Sequence, residues 1–62
     1  MPNKLCFAIL NTFIYNNLGS AYRLDKNYDK AIECYTKAIA DKPDYLLSLN
    51  NRGATKLESG KL

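Results

Sequence analysis

An all-α fold is predicted for this 62-residue chain, and three observations predict it. Apolar residues recur every three or four positions through most of the chain, which is the spacing of one helix face. Turn-forming and helix-breaking residues divide this pattern into three stretches. Hydrophobic residues make up 47% of the composition and charged residues 24%, with only three Gly and two Pro, as in chains that fold. We therefore expect an antiparallel helical hairpin followed by a third helix.

The first helix is expected to run from about Lys4 to Leu24. Asn3 can serve as its N-cap, and no proline follows Pro2 within this stretch. The spacing of its apolar residues predicts one buried face. These residues are Leu5, Cys6, Ile9, Leu10, Phe13, Ile14, Leu18 and Tyr22.

The beginning of this stretch also has features of a secretory signal peptide. A short basic segment precedes the apolar run from Leu5 to Leu10, and Ala21 follows two small residues that could imitate a cleavage site. The run stops at Asn11 after six residues, which is too short to cross a membrane. We therefore interpret the stretch as part of the helix and expect no membrane association.

A polar turn over residues 25–27 separates the first helix from the second, and Asn27 can cap the second helix. Pro43 ends the second helix because its ring removes a backbone donor and restricts Lys42. The third helix can begin at Asp44 or Tyr45, and Gly60 is its expected end. The second helix buries a stripe formed by Ala31, Ile32, Tyr35, Ala38 and Ile39.

The composition argues against catalysis and against bound metals or cofactors. The chain has no histidine, so it lacks the commonest general base and the commonest zinc ligand. Its carboxylates lie among lysines, and no two of them are paired in an apolar setting. Cys6 and Cys34 form no C-x-x-C motif. Both cysteines are expected to be buried, reduced thiols of a protein in a reducing, cytoplasmic compartment. A disulfide between them is the alternative.

The net charge of +3 and the pI of about 9.0 raise the possibility of nucleic-acid binding. The basic residues, however, are scattered from Lys4 to Lys61 with acidic residues between most of them. Nucleic-acid recognition needs a clustered basic surface. Nucleic acid is therefore an unlikely partner.

Self-comparison reveals a repeat with a period of 34 residues. The segment Asn16-Asn17-x-Gly19 aligns with Asn50-Asn51-x-Gly53 at this spacing. The first copy resembles the tetratricopeptide repeat family, with Tyr15 where that family usually has Trp. The residues that match the family pattern are Tyr15, Leu18, Gly19, Tyr22, Tyr28, Ala31, Tyr35, Ala38 and Pro43.

The resemblance implies a fragment of a right-handed helical solenoid. Residues 1–11 would extend the first helix, residues 12–45 would form a complete repeat, and residues 46–62 would form part of a second. Lys26 replaces the glycine usual in the turn, so this turn should be tight or strained. Gly19 and Ala31 are small at positions where the two antiparallel helices must approach closely.

The resemblance also implies a non-catalytic scaffold that holds a peptide or a partner helix in a concave groove. Asn17 and Asn51 match positions at which the family often bonds a peptide backbone, a role that suits an amide because it both donates and accepts. The alternative is that these asparagines are ordinary solvated residues. The implied groove residues are Phe13, Asn16, Asn17, Ser20, Arg23, Asn50, Asn51, Ala54 and Leu57.

Self-assembly is the alternative function, because one hairpin and a half leave apolar surface uncovered at both ends. Leu46, Leu49 and Leu57 have no following helix to cover them. The apolar residues of the segment Leu5–Leu10 have no preceding helix to pack against. We therefore expect a homo-oligomer, or a part of a larger protein or complex, rather than a free monomer.

Overall fold

The computed structural model contains three helices, α1 (Lys4–Leu24), α2 (Tyr28–Asp41) and α3 (Leu46–Ser59). Residues 4–60 contain no strand. The predicted all-α architecture, a helical hairpin followed by a third helix, is confirmed.

The structure describes residues 4–60, with side chains described for residues 11–60. Some of the expectations fall outside this part of the chain. They concern the Asn3 cap and the side chains of Leu5, Cys6, Ile9 and Leu10.

The helix ends follow the predicted signals with two differences. Asn27 lies at the N-cap of α2, but its side chain makes no capping hydrogen bond. α3 begins at Leu46 because Tyr45 takes the N-cap position, where its carbonyl accepts a hydrogen bond from the Ser48 N–H at 3.2 Å. Gly60 ends α3 as predicted. Its N–H donates to the carbonyls of Leu57 and Lys56, and its left-handed φ of 77°, which glycine adopts without a Cβ clash, turns the chain out of the helix.

The turn between α1 and α2 carries the strain expected from the missing glycine. Lys26 has a φ of 61°, and it is the one non-glycine residue with positive φ among the described residues. This backbone shape brings the Asn27 N–H to the Tyr22 carbonyl at 2.9 Å, which closes the end of α1. A side chain in this conformation costs about 1–2 kcal/mol.

α1 and α2 are antiparallel. The Nζ of Lys37 lies 5.6 Å from the ring centre of Tyr15, and that of Lys30 lies 5.8 Å from the ring centre of Tyr22. The two pairs run in opposite order along the two helices, which requires antiparallel packing. Both ammonium groups lie over aromatic faces, where the ring quadrupole attracts them.

The core is centred on α2, and its tightest point is Gly19 of α1. A Cβ atom at Gly19 would lie 2.8 Å from Cε1 of Tyr35, closer than real Cβ contacts allow. The hydroxyl of Tyr35 lies 2.9 Å from Oγ of Ser20. The predicted close approach at Gly19 is confirmed. The buried apolar residues are Ala31, Cys34, Tyr35 and Ala38.

Several residues that the sequence assigned to buried faces lie elsewhere. On α1, Phe13 is 44% exposed and Ile14 is 58% exposed, and Tyr22 is half-buried.

Leu18 is 42% exposed instead of buried with the tyrosines of α1. The position that corresponds to Leu18 in α3, 34 residues later, is Arg52, whose guanidinium donates to Thr36 of α2. Leu18 therefore faces the side on which the hairpin of a preceding repeat would lie. Ile32 and Ile39 are only half-buried.

Candidate functional site

α1 and α3 lie side by side and run in the same direction. The side-chain amide of Asn51 donates to Oδ1 of Asn16 at 3.1 Å. Two helical turns further on, the guanidinium of Arg23 donates through Nε to Oε1 of Glu58 at 2.9 Å, and through a second nitrogen to the same oxygen. Both pairs are separated by 35 residues in the chain, so the two helices keep one parallel register.

Asn16 requires a correction to the predicted groove. Its side chain is 4% exposed and lies between the two helices. Its Oδ1 accepts hydrogen bonds from Ser48 Oγ and from the Asn51 amide, both at 3.1 Å. A buried polar group needs such partners, because an unpaired one costs about 1–3 kcal/mol. Asn16 therefore joins α1 to α3 and does not face a ligand, and Asn51 is half-buried in the same cluster.

The predicted residues that remain open form one surface along α1 and α3. Phe13, Asn17 and Asn50 are exposed and Ala54 is half-buried. Phe13 packs edge-on against Tyr45, with ring centres 5.3 Å apart and an interplanar angle of 78°. The side-chain amides of Asn17 and Asn50 make no hydrogen bond to the described part of the chain, so both can bond a ligand.

At the carboxyl ends of α1 and α3, this surface leads into a cavity of about 420 Å³. Ser20 and Arg23 were predicted as groove residues, and both line the cavity. The hydroxyl of Ser20 also contacts the backbone carbonyl of Asn16 at 3.1 Å. The full lining consists of Ser20, Arg23, Leu24, Lys26, Tyr28 and Glu58.

Glu58 lines the cavity and was not singled out from the sequence. It was not assigned to the groove, although it pairs with Arg23 across the two helices. The 34-residue period of the sequence gives no signal for Glu58, because the contacts between α1 and α3 join residues that are 35 apart. Leu57, its neighbour, is 65% exposed, and it does not line the cavity.

The Arg23–Glu58 pair shifts the titration of both groups. The hydrogen bond from Arg23 holds the pKa of the Glu58 carboxyl below its usual value of 4.5. The same hydrogen bond raises the pKa of the Arg23 guanidinium above its usual value. Both groups are therefore ionised at neutral pH, and the pair closes one wall of the cavity with a charge-assisted contact.

Acidification should weaken the contact between α1 and α3. Because the pKa of Glu58 is lowered by folding, the pair stabilises the chain above the usual carboxyl pKa of 4.5. This contribution is lost as the pH falls through the lower folded-state value. Thermal melts of the parent chain and of Glu58→Gln between about pH 3 and pH 7 test this. The melting temperatures of the two should differ at neutral pH and converge in acid, and a constant difference would contradict the assignment.

The structure offers no sign of metal or thiol chemistry among the described residues. No group of three or more His, Cys, Asp or Glu lies together in this part of the chain. Cys34 is a free, buried thiol. Burial raises its pKa, which favours the unreactive protonated form. Within the described residues, no helix has the length and apolar character needed to cross a membrane.

Comparison with known proteins assigns the family. The tetratricopeptide repeat family matches residues 13–45. Over 52 residues the chain is 38% identical to a peroxisomal targeting signal receptor of Yarrowia lipolytica. This alignment covers 84% of the chain but 9% of that receptor. No solved structure matches the chain. On the strength of the family match over more than half its length, the chain belongs to the tetratricopeptide repeat family.

Proposed function

We propose that the chain binds an extended segment of a partner protein along the surface shared by α1 and α3. The family match and the receptor relative support a protein-interaction module in general. One observation carries the choice of surface. The hydrogen bonds from Ser48 and Asn51 to Asn16 join the two helices at their contact. They leave the side-chain amides of Asn17 and Asn50 exposed to solvent. An extended peptide presents a row of backbone donors and acceptors that such amides can bond.

The two ends of the surface differ in chemistry, which would orient a bound segment. At the amino ends of the helices, Phe13 is 44% exposed and Leu47 is 50% exposed, so this end suits an apolar side chain. At the other end the cavity carries the charged groups of Arg23, Lys26 and Glu58. The backbone of the segment would run between these ends, over the exposed amides.

The relative suggests a defined probe for this proposal. It is named as a receptor for a peroxisomal targeting signal, and one such signal is a carboxyl-terminal Ser-Lys-Leu sequence. We expect a fluorescent peptide that ends in Ser-Lys-Leu to bind the chain and a scrambled peptide to bind more weakly. Fluorescence anisotropy measures both affinities. Equal binding of the two peptides would exclude this signal as the ligand.

Asn17→Ala should weaken binding of the Ser-Lys-Leu peptide about threefold to tenfold. This corresponds to the loss of one uncharged hydrogen bond, worth about 0.5–1.5 kcal/mol. Asn11→Ala is the matched control, because Asn11 is also an exposed asparagine of α1 but lies about 140° around the helix from Asn16, on the opposite side from Asn17. Circular dichroism should show unchanged helicity in both variants. Equal affinities of the two variants would remove Asn17 from the binding surface.

A further inference from the structure

Lys26 is strained at its position in the turn, and it lines the cavity at the carboxyl ends of α1 and α3. Its φ of 61° lies in the left-handed region, which glycine adopts without a Cβ clash and other residues adopt at a cost. Backbone strain of this kind clusters where proteins hold ligands. A lysine in place of the glycine usual in this family therefore points to a role for its side chain.

The cavity lining has an excess of positive charge. Arg23 and Lys26 each bring one positive charge and Glu58 brings one negative charge, so the net charge of the lining is +1. The carboxylate of Glu58 is bonded to Arg23. Lys26 is exposed and forms no ion pair within residues 11–60. Its ammonium is therefore available to an anion that enters the cavity.

The cavity and the place of a following helix lie on different sides of α3. In the first copy, α2 packs on α1 at Gly19, through the ring of Tyr35. In a further repeat, the helix after α3 would pack at the equivalent residue, Gly53. Glu58 is five residues from Gly53, which places it about 140° around α3. A following helix would therefore lie on the other side of α3 from the cavity.

We infer that the cavity holds a glutamate side chain of the bound segment, with its carboxylate at the ammonium of Lys26. This inference rests on the proposed function, because the cavity is the charged end of the same surface. Leu24 and Tyr28 also line the cavity, so the two methylenes of a glutamate have apolar groups to pack against. A terminal carboxylate without a side chain would leave these groups uncovered.

The apolar end of the surface sets the spacing of the recognised sequence. Phe13 is ten residues from Arg23 along α1, which corresponds to about 15 Å. An extended segment covers about 3.3 Å per residue. About four or five positions of the segment therefore separate the two ends. We expect an apolar residue and a glutamate at this spacing in the partner.

Peptides with acetylated amino ends and amidated carboxyl ends test the inference without terminal charges. Each contains one Leu and one Glu four positions apart among Ser and Ala residues, in either order, and the tighter-binding order is used. Replacing its Glu by Gln should weaken binding about threefold to tenfold in fluorescence anisotropy. Moving Glu next to Leu should weaken binding equally, because the peptide then cannot reach both ends. A free carboxyl terminus in place of the Glu side chain should not restore the affinity.

Lys26→Gly separates binding from folding. It removes the ammonium and relieves the strain at positive φ, so the variant should melt above the parent and yet lose the preference for Glu over Gln. Lys56→Gln is the control, because it removes the same charge from an exposed residue of α3. Lys56 lies about 160° around the helix from Glu58. This variant should keep the preference.

Two results would overturn the inference and leave peptide binding along the surface intact. One is equal binding of the Glu and Gln peptides, and the other is a Lys26→Gly variant that still prefers Glu. Restored affinity with the free carboxyl terminus would also overturn it, since the occupant would then be a chain end. If these peptides do not bind but the Ser-Lys-Leu peptide does, the glutamate site is wrong and the proposed function stands. If none of the peptides binds, both fail.

Discussion

Tyr35→Ala should leave little of the chain folded at room temperature. Tyr35 is fully buried, and its ring packs on Gly19 while its hydroxyl meets Ser20. Removing a buried aromatic ring costs about 3–5 kcal/mol. A core of this size rarely supplies more than about 3–5 kcal/mol in total. This one substitution can therefore remove the whole free energy of unfolding. The helical signal in far-ultraviolet circular dichroism should fall to a small fraction of the parent value.

Tyr35→Phe separates the ring from its hydroxyl. It keeps the packing and removes one hydrogen bond, worth about 0.5–1.5 kcal/mol. In this variant the hydroxyl of Ser20 still donates to the backbone carbonyl of Asn16, at 3.1 Å in the parent, so it keeps a hydrogen-bond partner. This variant should stay folded and melt a few degrees below the parent. If Tyr35→Ala melts like Tyr35→Phe, the ring does not hold α1 and α2 together.

The helices could be predicted because their limits depend on local chemistry. Pro43 and Gly60 act through their own backbone restrictions, so they mark helix ends in any surroundings. The strain at Lys26 was expected from the resemblance, because the family usually has glycine at this turn position, and the φ of 61° agrees. Asn27 shows the limit of such reasoning. A cap needs a side-chain rotamer as well as a residue type, and the structure leaves its side chain unbonded.

The site could be predicted only in part, because its geometry depends on how α3 is placed on α1. The 34-residue period aligns Asn16 with Asn50 and Asn17 with Asn51. The contacts across the helices instead join residues 35 apart, such as Asn16 with Asn51 and Arg23 with Glu58. That offset of one residue turns Asn16 inward. Residue types and the repeat period do not predict this offset, because it arises from the way α3 packs on α1.

The uncovered surfaces were predicted more fully, because they follow from which helices are present. Leu46, Leu49 and Leu57 were expected to lack a covering helix, and all three are exposed. Leu18 was assigned to the core because it lies at helical spacing from the tyrosines of α1. Periodicity identifies an apolar face but does not say which neighbour covers it. The neighbour of Leu18 is inferred from Arg52, the equivalent residue of the second copy, which contacts Thr36 on the preceding helix α2.

Gly19→Leu and Gly53→Leu should change stability in opposite directions, although the two glycines occupy equivalent positions of the repeat. At Gly19 even a Cβ atom would lie 2.8 Å from the fully buried ring of Tyr35. Overpacking of this kind costs about 1–3 kcal/mol, and a whole leucine side chain belongs at the upper end. At Gly53 nothing lies within 4 Å. A leucine there gains up to about 1 kcal/mol in helix propensity over glycine.

Thermal melts at low micromolar concentration measure the melting temperatures of both variants and of the parent. The melting temperature should fall sharply for Gly19→Leu and rise by several degrees for Gly53→Leu. The same substitution thus probes one glycine that a neighbouring ring requires and one that no described residue touches. Equal destabilisation by both would mean that helix α3 is covered at Gly53. A harmless Gly19→Leu would mean that α1 and α2 do not approach at Gly19, and the register of the hairpin would be wrong.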